Sequence, residues 1–276
     1  MLDFFINEID KNINYQHIQT KKPYVDFHLH EGCEIYFLIS GDVNYFVENT
    51  IFPIKFGDLI ITNNNEVHKP AFNSAVIYER ITIEFDYNLA KAFNYSDYDL
   101  LSCFFNREKG QQNKISLTEK EISDLLDLFH RYEYLKQTTT NGINILKLNC
   151  FIELLVYINV LFTKTKVTAN PMCIHKKLIP ILDYIDKNLC EDLSLEVLEK
   201  NFFISRFYLS KLFKKHTGST LHEYIIYKRI ALSKKLLING CTVTEACNQS
   251  GFNDYSNFLK IFKKTVGILP GRYSKL

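Results

Sequence analysis

The chain predicts an α+β protein of two domains: an antiparallel β-barrel with following helices, then an all-α domain built on two helix-turn-helix motifs. Three observations predict this. Short apolar runs separated by turn residues crowd the stretch from Tyr24 to Phe85. Two patterns of helical period follow it. The C-terminal third repeats itself: Ser205-Arg-Phe-Tyr-Leu-Ser-Lys-Leu-Phe-Lys-Lys-His-Thr-Gly218 aligns without a gap on Asp254-Tyr-Ser-Asn-Phe-Leu-Lys-Ile-Phe-Lys-Lys-Thr-Val-Gly267, 49 residues later. The same offset carries Phe203 onto Phe252 and Tyr224 onto Tyr273.

A length of 276 residues accommodates two ordinary domains. Their charges differ in sign. From Pro171 onward there are 17 Lys and Arg against 9 Asp and Glu, leaving 16 against 22 before it, within totals of 33 and 31. The expected division is a barrel over 1–117, a helical linking and dimerising segment over 118–165 and a basic domain over 171–276. Acids in Met1-Leu-Asp-Phe-Phe-Ile-Asn-Glu occupy the place of a basic leader region. The longest apolar run, Leu154 to Thr163, is short of the roughly 20 residues that span a bilayer. A cytoplasmic protein with no membrane partner is expected. Its 7 Cys include no C-x-x-C pair, so reduced structural thiols are expected rather than disulfides or zinc ligands.

In chain order, Asp26-Phe-His-Leu-His alternates polar with apolar, Glu34 to Ile39 ends at Ser40-Gly41-Asp42, and Val43 to Glu48 stops at Asn49. Phe56-Gly57-Asp58 opens Leu59-Ile-Ile, and Val76 to Phe85 makes a last long strand, the sum being a small antiparallel barrel or sandwich. Thr118-x-x-Glu121 is a capping box before the stripe Ile122, Leu125, Leu126 and Phe129. A second helix, from Ile145 to about Phe162, is apolar beyond one face, so it lies buried against the barrel or meets a second copy of the chain. Thr163 to Pro171 reads as the linker.

Inside the first domain, His28-x-His30-x-x-x-Glu34-x6-Gly41 has the spacing of the first cupin motif, and this region resembles a cupin barrel. In metal-binding cupins a further His follows the Gly of a second motif. Aligning Pro53-x-x-x-Gly57 on that motif puts Ile60 in the ligand position, and His68 approaches from another strand. We therefore expect His28, His30, Glu34 and His68 to bind a small effector, with no metal and no cofactor.

In the basic domain, Leu178, Ile181, Leu182, Ile185 and Leu189 share one helical face. A short helix capped by Ser194, a turn through Phe202, Phe203 and Ile204, and a helix capped by Ser205 make the first helix-turn-helix. Leu209, Leu212 and Phe213 face inward, leaving Arg206, Phe207, Ser210, Lys211, Lys214 and Lys215 outward. The second copy uses Thr242-x-x-Glu245, Gly251-Phe-Asn and Asp254, with Phe258, Ile261 and Phe262 inward and Tyr255, Ser256, Asn257, Lys260, Lys263 and Lys264 outward. Leu221 to Leu237, about 25 Å of helix, is the spacer between two readers that suit sites roughly 34 Å apart on DNA.

Leu193-Ser-Leu-Glu, Tyr208-Leu-Ser-x-Leu-Phe-Lys-Lys-x-x-Gly218, Lys228-Arg229-Ile230, Gly251-Phe252 and Pro270-x-x-Tyr273 resemble the AraC/XylS family of transcription regulators. That resemblance implies base readout by residues 206, 207, 210, 211, 255, 256, 257 and 260. It also implies a regulator that is not an enzyme, with double-stranded DNA, a small effector of the sugar class, RNA polymerase and a second copy of the chain as partners. The family's usual Ala is replaced by Glu199 and Ser233, its Ile-Ala pair by Ala246-Cys247, and its Arg after the final Tyr by Ser274. The competing reading is a metal-dependent cupin enzyme tethered to DNA, which needs the ligand that Ile60 removes.

Overall fold

The computed structural model describes residues 6–21, 25–74, 76–164, 172–173 and 177–275. Most of the sequence-read linker falls outside them. The strands are β1 (Ile13–Thr20), β2 (Cys33–Ser40), β3 (Val43–Val47), β4 (Thr50–Ile54), β5 (Leu59–Thr62), β6 (His68–Phe72), β7 (Tyr78–Phe85), β8 (Lys114–Ile115) and β9 (Met172–Cys173). They form two antiparallel sheets, ordered β1-β7-β2-β5-β8 and β6-β3-β4-β9. The sheets face each other across a core of Tyr36, Leu38, Tyr45, Phe52, Ile60 and Tyr78.

β2 is buried on both faces. Residues 34, 36 and 38 point between the sheets, and Ile35 and Phe37 point into a second core beneath the helices. Those helices are α1 (Ile9–Asn12), α2 (Tyr87–Lys91), α3 (Ser102–Phe105), α4 (Glu119–Gln137) and α5 (Ile143–Lys164). The Thr118/Glu121 box starts α4 as the sequence predicts. α5 is long and apolar enough to cross a membrane, but half of that window is buried in this core.

The C-terminal domain comprises α6 (Ile179–Lys187), α7 (Leu195–Phe202), α8 (Arg206–Thr217), α9 (Leu221–Ile238), α10 (Val243–Gln249), α11 (Tyr255–Val266) and α12 (Pro270–Tyr273). Gly218 and Gly267, at φ +74° and +87°, end α8 and α11 by returning their N–H groups to Lys214 O and Lys263 O at 2.8 and 2.9 Å. Two structural differences from the sequence reading concern boundaries. β9 pairs with β4, so residues 172–173 belong to the second sheet although the basic domain is expected from 171. Asp26 to His30 forms only an isolated bridge, His28 to His68, where a strand is expected.

The two domains are packed together. Phe27, Leu29, Phe46, Ile51 and Val67 from the β-domain share one core with Ile185, Leu209, Phe213 and Tyr224. A fourth core, Leu237 of α9 with Phe252, Phe258, Phe262 and Tyr273, lies under the second helix-turn-helix and includes no β-domain residue.

Candidate functional site

The four sequence-read effector residues converge. Ring centroids lie 4.4 Å apart for His28 and His68, 4.9 Å for His28 and His30, and 5.0 Å for His30 and His68. One donor atom from each of the three imidazoles and from Glu34 falls within 4.8 Å of all the others. His28 Nδ1 donates to Asp26 O and His68 Nδ1 donates to Glu66 O, both at 2.8 Å. A carbonyl only accepts, so each Nε2 keeps a lone pair. His30 Nε2 and Glu34 Oε2 are 2.9 Å apart, Tyr45 Oη donates to Glu34 Oε1 at 2.8 Å, and that oxygen lies 3.7 Å from His68 Nε2.

Burial, reinforced at His28 by the neighbouring His68, drives both of these imidazoles below the ordinary histidine range, so they are neutral. At His30 burial is outweighed by the bond and charge of Glu34, and its pKa rises. Burial of Glu34 is outweighed in turn by His30, which holds the carboxyl far below its usual range. A cavity of about 210 Å³ adjoins the cluster, and its walls include Tyr36, Arg80 and Glu84 as well as His28, His30 and Glu34.

Two points of the sequence reading change. Ile60 is no vacant ligand position, because it sits in the core between the sheets, and His68 on β6 completes the set that the alignment on Gly57 left short. Three imidazoles and a carboxylate fit a divalent transition ion, so the ground for expecting no metal is removed. Tyr36, Tyr45 and Arg80 were missed. Tyr36 is in phase with Glu34 along β2, a period-two signal that was available from the sequence.

The sequence-read DNA contacts form two exposed faces. On α8, Phe207, Lys211, Lys214 and Lys215 are exposed and Arg206 and Ser210 half-buried; on α11, Tyr255, Ser256, Asn257, Lys260, Lys263 and Lys264 are all exposed. Docking of the β-domain covers neither face. The expected caps of the first motif differ. Ser194 and Ser205 make no side-chain cap bond; instead Glu199 accepts from Arg206 N at 3.1 Å, and Arg206 is ion-paired with Glu196. Glu199 thus has a structural job in place of the small residue expected there. Ser233 is buried and donates to Ile230 O at 2.8 Å, and Ala246 and Cys247 are buried in the second module.

The two duplicated motifs and their exposed faces define the class of domain, a double helix-turn-helix. Residues 198–276 match the family model described as a helix-turn-helix domain. The chain is 31% identical over 109 residues to the regulatory protein PocR of Salmonella typhimurium, covering 39% of this chain and 36% of that one. It is 24% identical over 250 residues to an uncharacterised HTH-type transcriptional regulator of Staphylococcus aureus strain COL, covering 90% of this chain and 32% of that one. The chain thus spans about a third of the length of these relatives. Among solved structures, ToxT from Vibrio cholerae O395 is similar at TM-score 0.38 and 14% identity over 96% of this chain and 98% of that one. A Listeria innocua protein is similar at TM-score 0.34 and 32% identity over 36% of this chain and 94% of that one.

Proposed function

We infer that the chain is a DNA-binding transcription regulator whose β-domain binds a small effector and adjusts how two recognition helices are presented. The observation that carries this reading is the duplicated, exposed basic face on α8 and α11. Each module binds weakly, and a rigid α9 makes the second contact nearly intramolecular. Salt titration of binding to the DNA upstream of the protein's own gene, with random DNA as control, tests it. A steep slope and a tighter specific complex are the expected result, and no binding to either DNA overturns the reading.

The effector is proposed to be a small polyhydroxylated molecule of the sugar class. The adjoining cavity offers carboxylates, imidazoles, phenols and a guanidinium, which are the hydrogen-bonding groups such a ligand uses. Candidate sugars added to the same assay test this by shifting the affinity for DNA. A homodimer is proposed through the outer face of α5, where Ile145 and Leu146 are 58% and 52% exposed and Val156 and Val160 lie further along the helix. Sedimentation of Leu146→Glu against the unaltered chain checks it, a monomer being the expected outcome. RNA polymerase is the proposed partner of the DNA-bound form, and a cytoplasmic location follows from that role.

A further inference from the structure

The segments that carry the imidazole cluster also grip the DNA-binding domain. Along Asp26 to Glu31 the residues alternate. His28 and His30 face the cluster, whereas Phe27 and Leu29 are buried in the core shared with the C-terminal domain. The Phe27 ring lies 5.6 Å from Tyr224 and 6.3 Å from both Phe213 and Tyr227. Glu31 pairs with Lys234 of α9 at 2.9 Å, and Lys234 Nζ also reaches His30 O at 3.4 Å. β6 repeats the arrangement. His68 points into the cluster, Val67 into the shared core, and Lys69 Nζ donates to Ser219 Oγ, between α8 and α9, at 2.6 Å.

His68 Nε2 is the second, independent sign of a ligand. It is fully buried and has no hydrogen-bond partner. A buried acceptor left in that state is destabilising. A cation shared with His28, His30 and Glu34 would use its lone pair.

We propose that His28, His30, Glu34 and His68 bind one divalent transition cation, and that this cation fastens the two segments which hold the DNA-binding domain against the β-domain. The proposal rests on reading the chain as a regulator only for its consequence at DNA. Three nitrogens and one carboxylate oxygen select zinc, copper, iron or nickel over magnesium and calcium, whose preferred shells are all oxygen. Loading ties β6 to the 26–31 strap across their single bridge, and Phe27, Leu29 and Lys69 are then held as a unit on α8 and α9.

The test uses the purified full chain, stripped with chelator and titrated with zinc or nickel chloride alone, read by calorimetry and by amide exchange. About one equivalent should bind, and His68→Ala and Glu34→Gln should each weaken it by about 100-fold. Circular dichroism and thermal melting confirm that each variant is folded. Exchange along α9 should slow on loading by about fivefold or more. Phe27→Ala should bind the metal unchanged yet lose that response. No binding, or binding that survives both ligand variants, overturns the site. Binding that leaves α9 exchange unchanged or faster overturns the coupling. A chain that binds DNA but no metal refutes this proposal and spares the regulator; one that binds metal and protects α9 but never binds DNA does the reverse.

Discussion

The two helix-turn-helix modules are one sequence unit used twice, yet they stand on different foundations. In both, the residues at equivalent places are buried alike: Leu209 and Phe258, Phe213 and Phe262, Tyr224 and Tyr273. In both, a glycine at positive φ ends the recognition helix. The second module closes its core with its own residues and with Ile230 and Leu237 of α9, and no β-domain residue enters it. The first finishes its core on the β-domain, through Phe27, Phe46, Ile51 and Val67. The second module touches the β-domain at its edge, where the Tyr273 side chain bonds Glu31, whereas the first shares its core with it. The modules are therefore expected to divide the work, the first responding to the β-domain and the second less so.

The largest test of that division is Lys228→Met. Lys228, on α9 at the domain junction, is buried between Glu48, to which it is ion-paired, and Asp186 at 2.9 Å. Removing it leaves the buried Glu48 carboxylate without its principal partner, a loss of about 3–5 kcal/mol. Denaturation followed by amide exchange should place the damage at the first module and the junction, with α11 unchanged. Equal damage in both modules would break the comparison.

Next is the turn ahead of each recognition helix. A Cβ on Gly251, at φ +85°, would meet Leu189 O at 2.1 Å, so Gly251→Ala should lower the melting temperature by the equivalent of about 2–4 kcal/mol. The first module has Phe203 at φ +51° in its turn, 96% exposed. Phe203→Gly should stabilise by up to about 1 kcal/mol. Opposite signs at the two turns are the expected result of chemical denaturation.

Acid should act on the domain junction of the first module in a way that the second does not share, since in the second the held-low carboxyl is Glu245 in the exposed Thr242 cap. Burial raises the Asp186 carboxyl despite Lys228, so its ionised form opposes docking, and that cost is relieved as pH falls through its folded pKa. Burial of Glu48 is outweighed by Lys228 and Lys109, which hold its carboxyl low. Its contribution is complete above the ordinary glutamate value of about 4.3 and disappears as pH falls through the lower folded value. Protection of α9 should therefore pass through a maximum in mildly acidic solution, while α11 shows none.

DNA affinity sharpens the comparison last. Lys260→Ala in the second module and Lys211→Ala in the first should each reduce the salt slope by about 1, with the pair of substitutions weakening binding sharply and leaving the fold intact. Glu196→Gln removes the closer of the two ion pairs of Arg206, leaving Glu199 at 4.0 Å, and should raise affinity by a few-fold, about 0.5–1 kcal/mol, a gain for which the second module has no counterpart, since Glu245 is taken up in the Thr242 capping box.

Local chemistry made much of this legible. Capping boxes at Thr118, Thr220 and Thr242 are satisfied within four residues, and they mark helix starts wherever the chain goes. β2 was legible because Glu34 to Ile39 is nearly all apolar, whereas β1 and β4 were missed: in β1 the alternation of Ile13 and Tyr15 is broken by His17 and Ile18, and β4 contains Pro53. Of the candidate pocket, His28, His30 and Glu34 were visible from their spacing. His68 is expected to approach from another strand, but its distance from them is a matter of strand pairing that no local pattern gives.

The sequence alone determined the duplicated reader, its basic outer faces and its buried aromatic positions, because helical period and charge are properties of neighbouring residues. Only the tertiary structure decided that Phe27 and Leu29 belong to the core of the first module, that Lys228 is held by Glu48 some 180 residues away, and that three imidazoles and a carboxylate meet. Those contacts join segments far apart in the chain. Which of them form is settled by how two sheets and seven C-terminal helices pack among the described residues, and no local pattern encodes that packing.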